Sequence, residues 1–163
     1  DGDGQFLEGV EDESLDFVHS SHSLEHMSNP TIALDNWIRV CKKGGHIIIT
    51  LPDEDMFEQG KWPSEYAGKD HITSWTIVKE NSWSPASHNV TDFVKQFADK
   101  IEVIKIEKID HMYHYDAPSM DQTRFPVTEC AIEVILRKKT DDEINNKGRL
   151  PQKSNEVFVY KTN

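Results

Sequence analysis

The chain has little of several things, and each shortage excludes something. Only two of its 163 residues are cysteine, Cys41 and Cys130, and both fall in apolar segments. A disulfide-stapled secreted scaffold is excluded, and two buried free thiols in a reducing, cytoplasmic setting are expected. Basic charge is scarce: 18 Lys and Arg stand against 29 Asp and Glu, a formal net charge of −11. Such a surface repels phosphate backbones, so no nucleic-acid partner is expected. Long apolar runs are missing. The longest, around Ile47-Ile48-Ile49, is far from the ~20 residues of a membrane helix, and no membrane association is expected. No basic-then-apolar leader opens the sequence.

What is present is a globular composition for one domain. Mean hydropathy is −0.65, yet Phe, Trp and Tyr make up 9% of the residues, too many for a disordered chain. Seven of the first sixteen residues are acidic and none is basic, which reads as a solvated loop. The first residue is not Met, and the opening Asp1-Gly2-Asp3-Gly4 reads as a loop, so the sequence is expected to continue upstream.

The clearest pattern lies between residues 15 and 52. Leu15-Asp16-Phe17-Val18-His19 predicts a strand over about 15–20 and Ser20–Ser28 a short helical stretch. Asn29-Pro30 opens a helix whose Ile32, Ala33, Leu34, Trp37, Ile38 and Val40 form one apolar face. Gly44-Gly45 is expected to end it, with Lys42 and Lys43 in the last turn. The β-branched run His46–Leu51 then predicts a central parallel strand covered on both faces, stopped by Pro52. Strand, helix, strand in this space is a right-handed βαβ unit. Beyond it the period breaks over 53–89, expected to act as a lid or insertion loop with a short strand near Trp75–Val78. A helix over 91–100 and two strands, 101–110 and 128–137, follow, the pair expected to be antiparallel. Residues 1–138 thus read as the domain and 139–163 as a polar tail, mobile or a late edge strand.

One local string could carry chemistry by itself. His22-Ser23-Leu24-Glu25-His26 is an H-x-x-E-H pattern, with both imidazoles on one face if it is helical and Glu25 beside them as a base. This supports a zinc-metallohydrolase alternative using His22, Glu25 and His26. It needs a third ligand, for which His71, His88, His111, His114 and Glu129 qualify only by residue type.

Longer segments carry more information. L-D-F-V-H-S-S-H-S-L-E-H-M and N-P-T-I-A-L-D-N-W-I-R-V-C-K-K-G-G-H-I-I-I-T-L-P-D resemble the second half of a class I S-adenosylmethionine-dependent methyltransferase of the type 11 kind. They follow its strand-and-helix "LEH" motif and its "RvlkpGG.l.i..P" helix-and-strand motif. Gly2-Asp3-Gly4-Gln5-Phe6-Leu7 also resembles the family's "gDa..Lp" segment. The likeness is strong over about 1–53 and extends to about 138 by strand order. It implies an α/β fold, the C-terminal part of a Rossmann-like sheet with strands in the order 4-5-7-6 and the last pair antiparallel. The family's first strands and glycine-rich loop have no counterpart here.

The resemblance implies S-adenosylmethionine as cofactor and methyl transfer to a small-molecule acceptor that the sequence does not identify. Asp3 would accept from the adenine amino group, with Gly4, Gln5 and Phe6 flanking the ring. The strand-end residues His19, Ser20 and Ser21 would lie along the methionine part. His22, His26 or His71 would serve as general base, His22 first because it stands at the strand end. Asp70, Trp75, His111, Tyr113, His114 and Tyr115 would cover the acceptor, and no metal is called for. The strand over 15–20 becomes a sheet edge, expected to pair with a second copy or a partner. A non-catalytic remnant of the fold, acting as an interaction module, is the other alternative.

Overall fold

The structure, a computed structural model, describes residues 2–65, 70–121 and 128–150. Strand β1 (Leu15–Ser21) leads through a 3-10 turn (Leu24–His26) to helix α1 (Pro30–Val40) and strand β2 (Cys41–Pro52). A π-helical turn (Glu54–Glu58), two short strands β3 (Ser74–Thr76) and β4 (Ser87–Asn89), and helix α2 (Val90–Lys95) follow. Strands β5 (Ile101–Ile109) and β6 (Ala131–Lys138) and the short helix α3 (Asp141–Asn145) complete the described elements. The main sheet runs β1-β2-β6-β5. β1 and β2 are parallel, whereas β6 is antiparallel to both β2 and β5. This is the expected 4-5-7-6 order with its antiparallel last pair.

The crossover forms for the reasons legible in the residues. The Asn29 side chain caps α1 by accepting from Thr31 N (3.1 Å) and Ile32 N (3.2 Å), and Pro30 occupies the first turn, where no amide is required. Ala33, Leu34, Trp37 and Ile38 of α1 pack with Ile47, Ile49 and Leu51 of β2 and Ile132, Val134 and Leu136 of β6. Phe93, Val94 and Phe97 close the same core.

Several expectations need correction. Helix α1 stops at Val40, four residues before the glycine pair, because Cys41 is already extended and pairs with Leu15. The glycines form an irregularity in the β1–β2 register between Leu15–Cys41 and Phe17–His46. Gly44 takes a left-handed φ of +78°. A Cβ on Gly45 would sit 2.7 Å from Asp16 O and 2.8 Å from Cys41 Sγ. Lys42 and Lys43 therefore lie on this turn, where they pair with Asp16 and Asp141, and not in a helical last turn. β2 is covered on both faces only toward its carboxyl end: Ile47, Ile49 and Leu51 are buried throughout, whereas on the other face His46 is exposed, Ile48 partly buried, and Thr50 and Pro52 buried. Ile32 is exposed rather than part of the apolar face. Helix α2 is shorter than 91–100, since after Lys95 the chain tightens into i to i−3 bonds such as Phe97 N to Val94 O. β6 begins at Ala131, three residues later than 128; residues 122–127 lie outside the described residues, as does 151–163 of the expected tail. Within 139–150, Thr140 and Glu143 form a reciprocal capping box on α3.

Two outcomes test this packing. Gly45→Ala should destabilise the chain by about 1–3 kcal/mol, read as a lowered urea midpoint, because backbone and a buried sulfur must shift to admit the methyl. Cys41 and Cys130 are buried free thiols, and burial pushes both up, Cys130 to about 11. The native chain should therefore release no colour with Ellman's reagent at neutral pH, and two equivalents after unfolding.

Candidate functional site

Because β1 and β2 are parallel, their carboxyl ends lie at the same end of the sheet, and the chain leaves both strands there. His22 N donates to Thr50 O (3.0 Å), the last bond of the pair. His22 itself turns the chain with a left-handed φ of +47°. The turn ends β1 abruptly and sets Leu24–His26 beneath the strand tip in a three-residue 3-10 turn. The premise that His22 and His26 share a face of a regular helix therefore fails. The imidazoles nevertheless converge, through a different element.

That element is the segment 70–73. Glu25 O accepts from Ile72 N (2.9 Å) and Thr73 N (3.1 Å), which clamps the segment against the turn and brings His71 opposite Glu25. The Glu25 side chain is 0% exposed, and neither of its oxygens accepts a hydrogen bond of proper geometry among the described residues. Three imidazole nitrogens surround Oε1: His22 Nδ1 at 3.6 Å, His26 Nε2 at 3.6 Å and His71 Nε2 at 3.9 Å. Burial pushes the Glu25 carboxyl above the usual range, opposed only in part by its own backbone amide and by the neighbouring imidazoles. The π-helical turn supplies the next layer. Asp53 caps it through Asp55 N and Met56 N, which directs Glu58 to His71 Nδ1 (2.5 Å) and stacks Phe57 on the His71 ring (centroids 5.2 Å). His26 Nδ1 lies 3.1 Å from Asp70 O, and His22 Nε2 lies 3.6 Å from the half-exposed Glu129.

The N-terminal loop lies on the other side of β1. It is strapped to α1 by Trp37 Nε1 donating to Gly4 O (2.8 Å) and Asn36 Nδ2 to Gln5 O (3.1 Å). The buried Gln5 side chain accepts from Asn29 N (2.8 Å). Asp3 Oδ1 accepts from Gln5 N (2.8 Å), so that amide is already engaged, while Phe6 stays partly exposed. An open hollow of ≈ 430 Å³ separates loop and strand, and Gly4, His19, Ser20 and Ser21 all line it. Ser20 Oγ is buried and has no hydrogen-bond partner among the described residues.

The comparisons bear on this arrangement directly. A family model described as a methyltransferase domain matches residues 1–49, the stretch holding the loop, β1 and α1. Among solved structures, the complex of the Haloferax volcanii Trm112 methyltransferase activator with a protein described as a methyltransferase superposes with a TM-score of 0.56. Identity is 18%, over 85% of this chain and 60% of that one. The chain has the C-terminal part of the fold of a class I S-adenosylmethionine-dependent methyltransferase. A Thermotoga maritima S-adenosylmethionine-dependent methyltransferase matches this methyltransferase fold at TM-score 0.50 and 21% identity, over 85% of this chain and 62% of the other. The N-methyltransferase NodS of Bradyrhizobium japonicum, solved with S-adenosyl-L-homocysteine, matches at 0.50 and 11%, over 85% and 53%. The chain spans about 60% of the length of the first two of these structures. No curated protein sequence matches it.

On the methyltransferase fold, the expected residues fall into two groups on either side of the β1 tip. Gly4, His19, Ser20 and Ser21 line the hollow, with Asp3 and Phe6 on the adjoining loop. His22, His26 and His71 meet around Glu25. Trp75, expected over an acceptor, is fully buried against Phe93 and His88 and is core. His111 and His114 are exposed, while Tyr113 OH donates to Met56 O (3.4 Å) beside Phe57. Glu58 was not legible as a site residue; nothing in its spacing pairs it with a histidine thirteen residues on.

The strap on the loop is testable. Trp37→Phe keeps the apolar packing but leaves Gly4 O without its donor, and should cost about 1 kcal/mol. Hydrogen exchange should quicken at Phe6 and Leu7, whose amides bond to Asp3 O, more than in β2.

Proposed function

We propose that the protein transfers a methyl group from S-adenosylmethionine to a small-molecule acceptor at the carboxyl end of β1. The observation that carries this is the methyltransferase-domain match over 1–49, because those residues build the hollow and its partnerless Ser20 hydroxyl. A buried hydroxyl without a partner is costly, and a polar ligand in the hollow would satisfy it; the residues present fit the donor. The donor supplies a sulfonium-activated methyl. The Asp3 oxygen not engaged by Gln5 would accept from the adenine amino group, Phe6 would cover the ring, and His19, Ser20 and Ser21 would line the methionine portion. His22 holds the proton taken from the acceptor, and Glu129 orients its ring from the solvent side.

A small-molecule acceptor is what the resemblance implies; net charge −11 disfavours a nucleic acid, and no helix among the described residues is long and apolar enough to cross a membrane. The lid role of 53–89 belongs to the same reading. So does pairing of β1 with a second copy or a partner: it is bonded on one side only, and Phe17 on it is 61% exposed. Two buried free thiols suit a reducing, cytoplasmic setting.

Isothermal titration of the chain with S-adenosylhomocysteine tests the reading. Asp3→Ala should weaken binding about tenfold or more, the cost of a hydrogen bond to a charged group. An unchanged dissociation constant removes Asp3 from the site, and the absence of any donor binding favours the non-catalytic interaction module instead.

A further inference from the structure

The surroundings of Glu25 pose a question of hydrogen bookkeeping. His26 Nδ1 lies 3.1 Å from the Asp70 carbonyl oxygen, which can only accept, so that nitrogen carries the hydrogen. His71 Nδ1 lies 2.5 Å from Glu58 Oε1 and, against that group as a carboxylate, which only accepts, carries the hydrogen. With both rings in the neutral form, Nε2 is then a bare lone pair, and both Nε2 atoms are turned to Glu25 Oε1, an acceptor in its carboxylate form. Three acceptors converge in a place where the carboxylate is wholly buried and neither of its oxygens has a hydrogen-bond partner among the described residues.

The distances discriminate between what could fill the gap. At 3.6 and 3.9 Å the Nε2–Oε1 separations are too long for hydrogen bonds. In tetrahedral coordination with bonds of 2.0–2.1 Å, neighbouring donor atoms stand about 3.4 Å apart. The candidate donor atoms of Glu25, His26 and His71 all lie within 4.8 Å of one another, so a contraction of the cluster would close on one ion. The outer layer also has the form metal sites use: each ligating imidazole donates its other N–H to a carboxylate or a carbonyl, here Glu58 and Asp70 O.

We propose that Glu25, His26 and His71 bind one divalent transition-metal ion through a carboxylate oxygen and two Nε2 atoms. A donor set of two imidazoles and a carboxylate suits zinc, cobalt, iron or manganese, and not the all-oxygen preference of calcium or magnesium. The site differs from the H-x-x-E-H reading in that Glu25 is a ligand and not a base. The third ligand comes from the segment clamped to Glu25 O, and His22 stands at the open side facing Glu129. It stands independently of donor binding, so its failure would leave the methyltransferase reading where it was.

The test is titration of the whole chain, stripped with chelator, with Co²⁺ alone, followed by visible absorption. The expected result is one equivalent bound with the bands of low-symmetry nitrogen and oxygen coordination, displaced by Zn²⁺. Glu25→Gln and His71→Ala should each weaken binding a hundredfold or more, with circular dichroism checking the fold. Glu58→Gln leaves all three ligands in place and should still weaken binding tenfold or more, which keeps the test decisive if a ligand variant fails to fold. Nitrogen-15 spectra of the wild type should show the Nε2 resonances of His26 and His71 moving on Zn²⁺ addition. Absence of stoichiometric binding, Nε2 atoms found protonated and unmoved by Zn²⁺, or equal affinity in Glu58→Gln and a folded His71→Ala chain would overturn the proposal.

Discussion

The parallel pairing of β1 with β2 is the constraint on which the rest of the structure depends. Parallel neighbours cannot be joined by a tight turn, so the chain must cross over, and α1 is the crossover. The helix in turn needs an apolar face, which Ala33, Leu34, Trp37 and Ile38 provide and Ile47, Ile49 and Leu51 receive. The same pairing puts two strand ends at one end of the sheet. Everything chemically notable begins within a few residues of those ends: His22 and Glu25 after β1, and Asp53, Glu54 and Glu58 after β2.

Four buried carboxylates in so small a region are an electrostatic load that must be met locally. Three are met by ordinary means. Asp53 caps the π-helical turn and lies 2.9 Å from Lys108 Nζ, though burial still pushes its carboxyl up. Glu54 accepts from Lys79 (2.7 Å), Ser82 (2.7 Å) and Ser74 (3.1 Å), and its interactions with Lys79, Ser87 and Ser82 outweigh its burial and bring it below the usual range. Glu58 has His71. Glu25 alone has imidazoles at ion-pair range and no bonded donor, which is why its surroundings carry an inference that those of the others do not.

The sequence was legible where local chemistry and long-range order agree. Asn29-Pro30 starts a helix in any context, and the unbroken His46–Leu51 run could hardly be anything but a strand. The strand order followed from the resemblance and not from periodicity, since nothing local in β6 says that it lies between β2 and β5. Where local and tertiary signals compete, the local one misleads. Gly44-Gly45 looks like a helix terminus, but the pairing of Leu15 with Cys41 ends the helix sooner and uses the glycines to admit Asp16 O. Glu25 carries the pattern of an exposed helical acid. It becomes buried because its own carbonyl is bonded by residues almost fifty positions away, a contact no spacing rule contains.

The two halves of the site are joined by a single left-handed residue. Ser21 lines the hollow, and the next residue, His22, already stands 3.6 Å from Glu25. A φ of +47° costs a non-glycine residue roughly 1–2 kcal/mol, and an extended residue there would carry the strand onward past the Thr50 carbonyl. The corner ends the strand, bonds Thr50 O and reverses the chain into the 3-10 turn in one step. Glycine would take that φ more easily but would leave the space between Glu25 and Glu129 without a ring. Backbone strain and an ionisable side chain thus coincide at the point where the hollow and the buried carboxylate come closest, and both rest on the β1–β2 pairing.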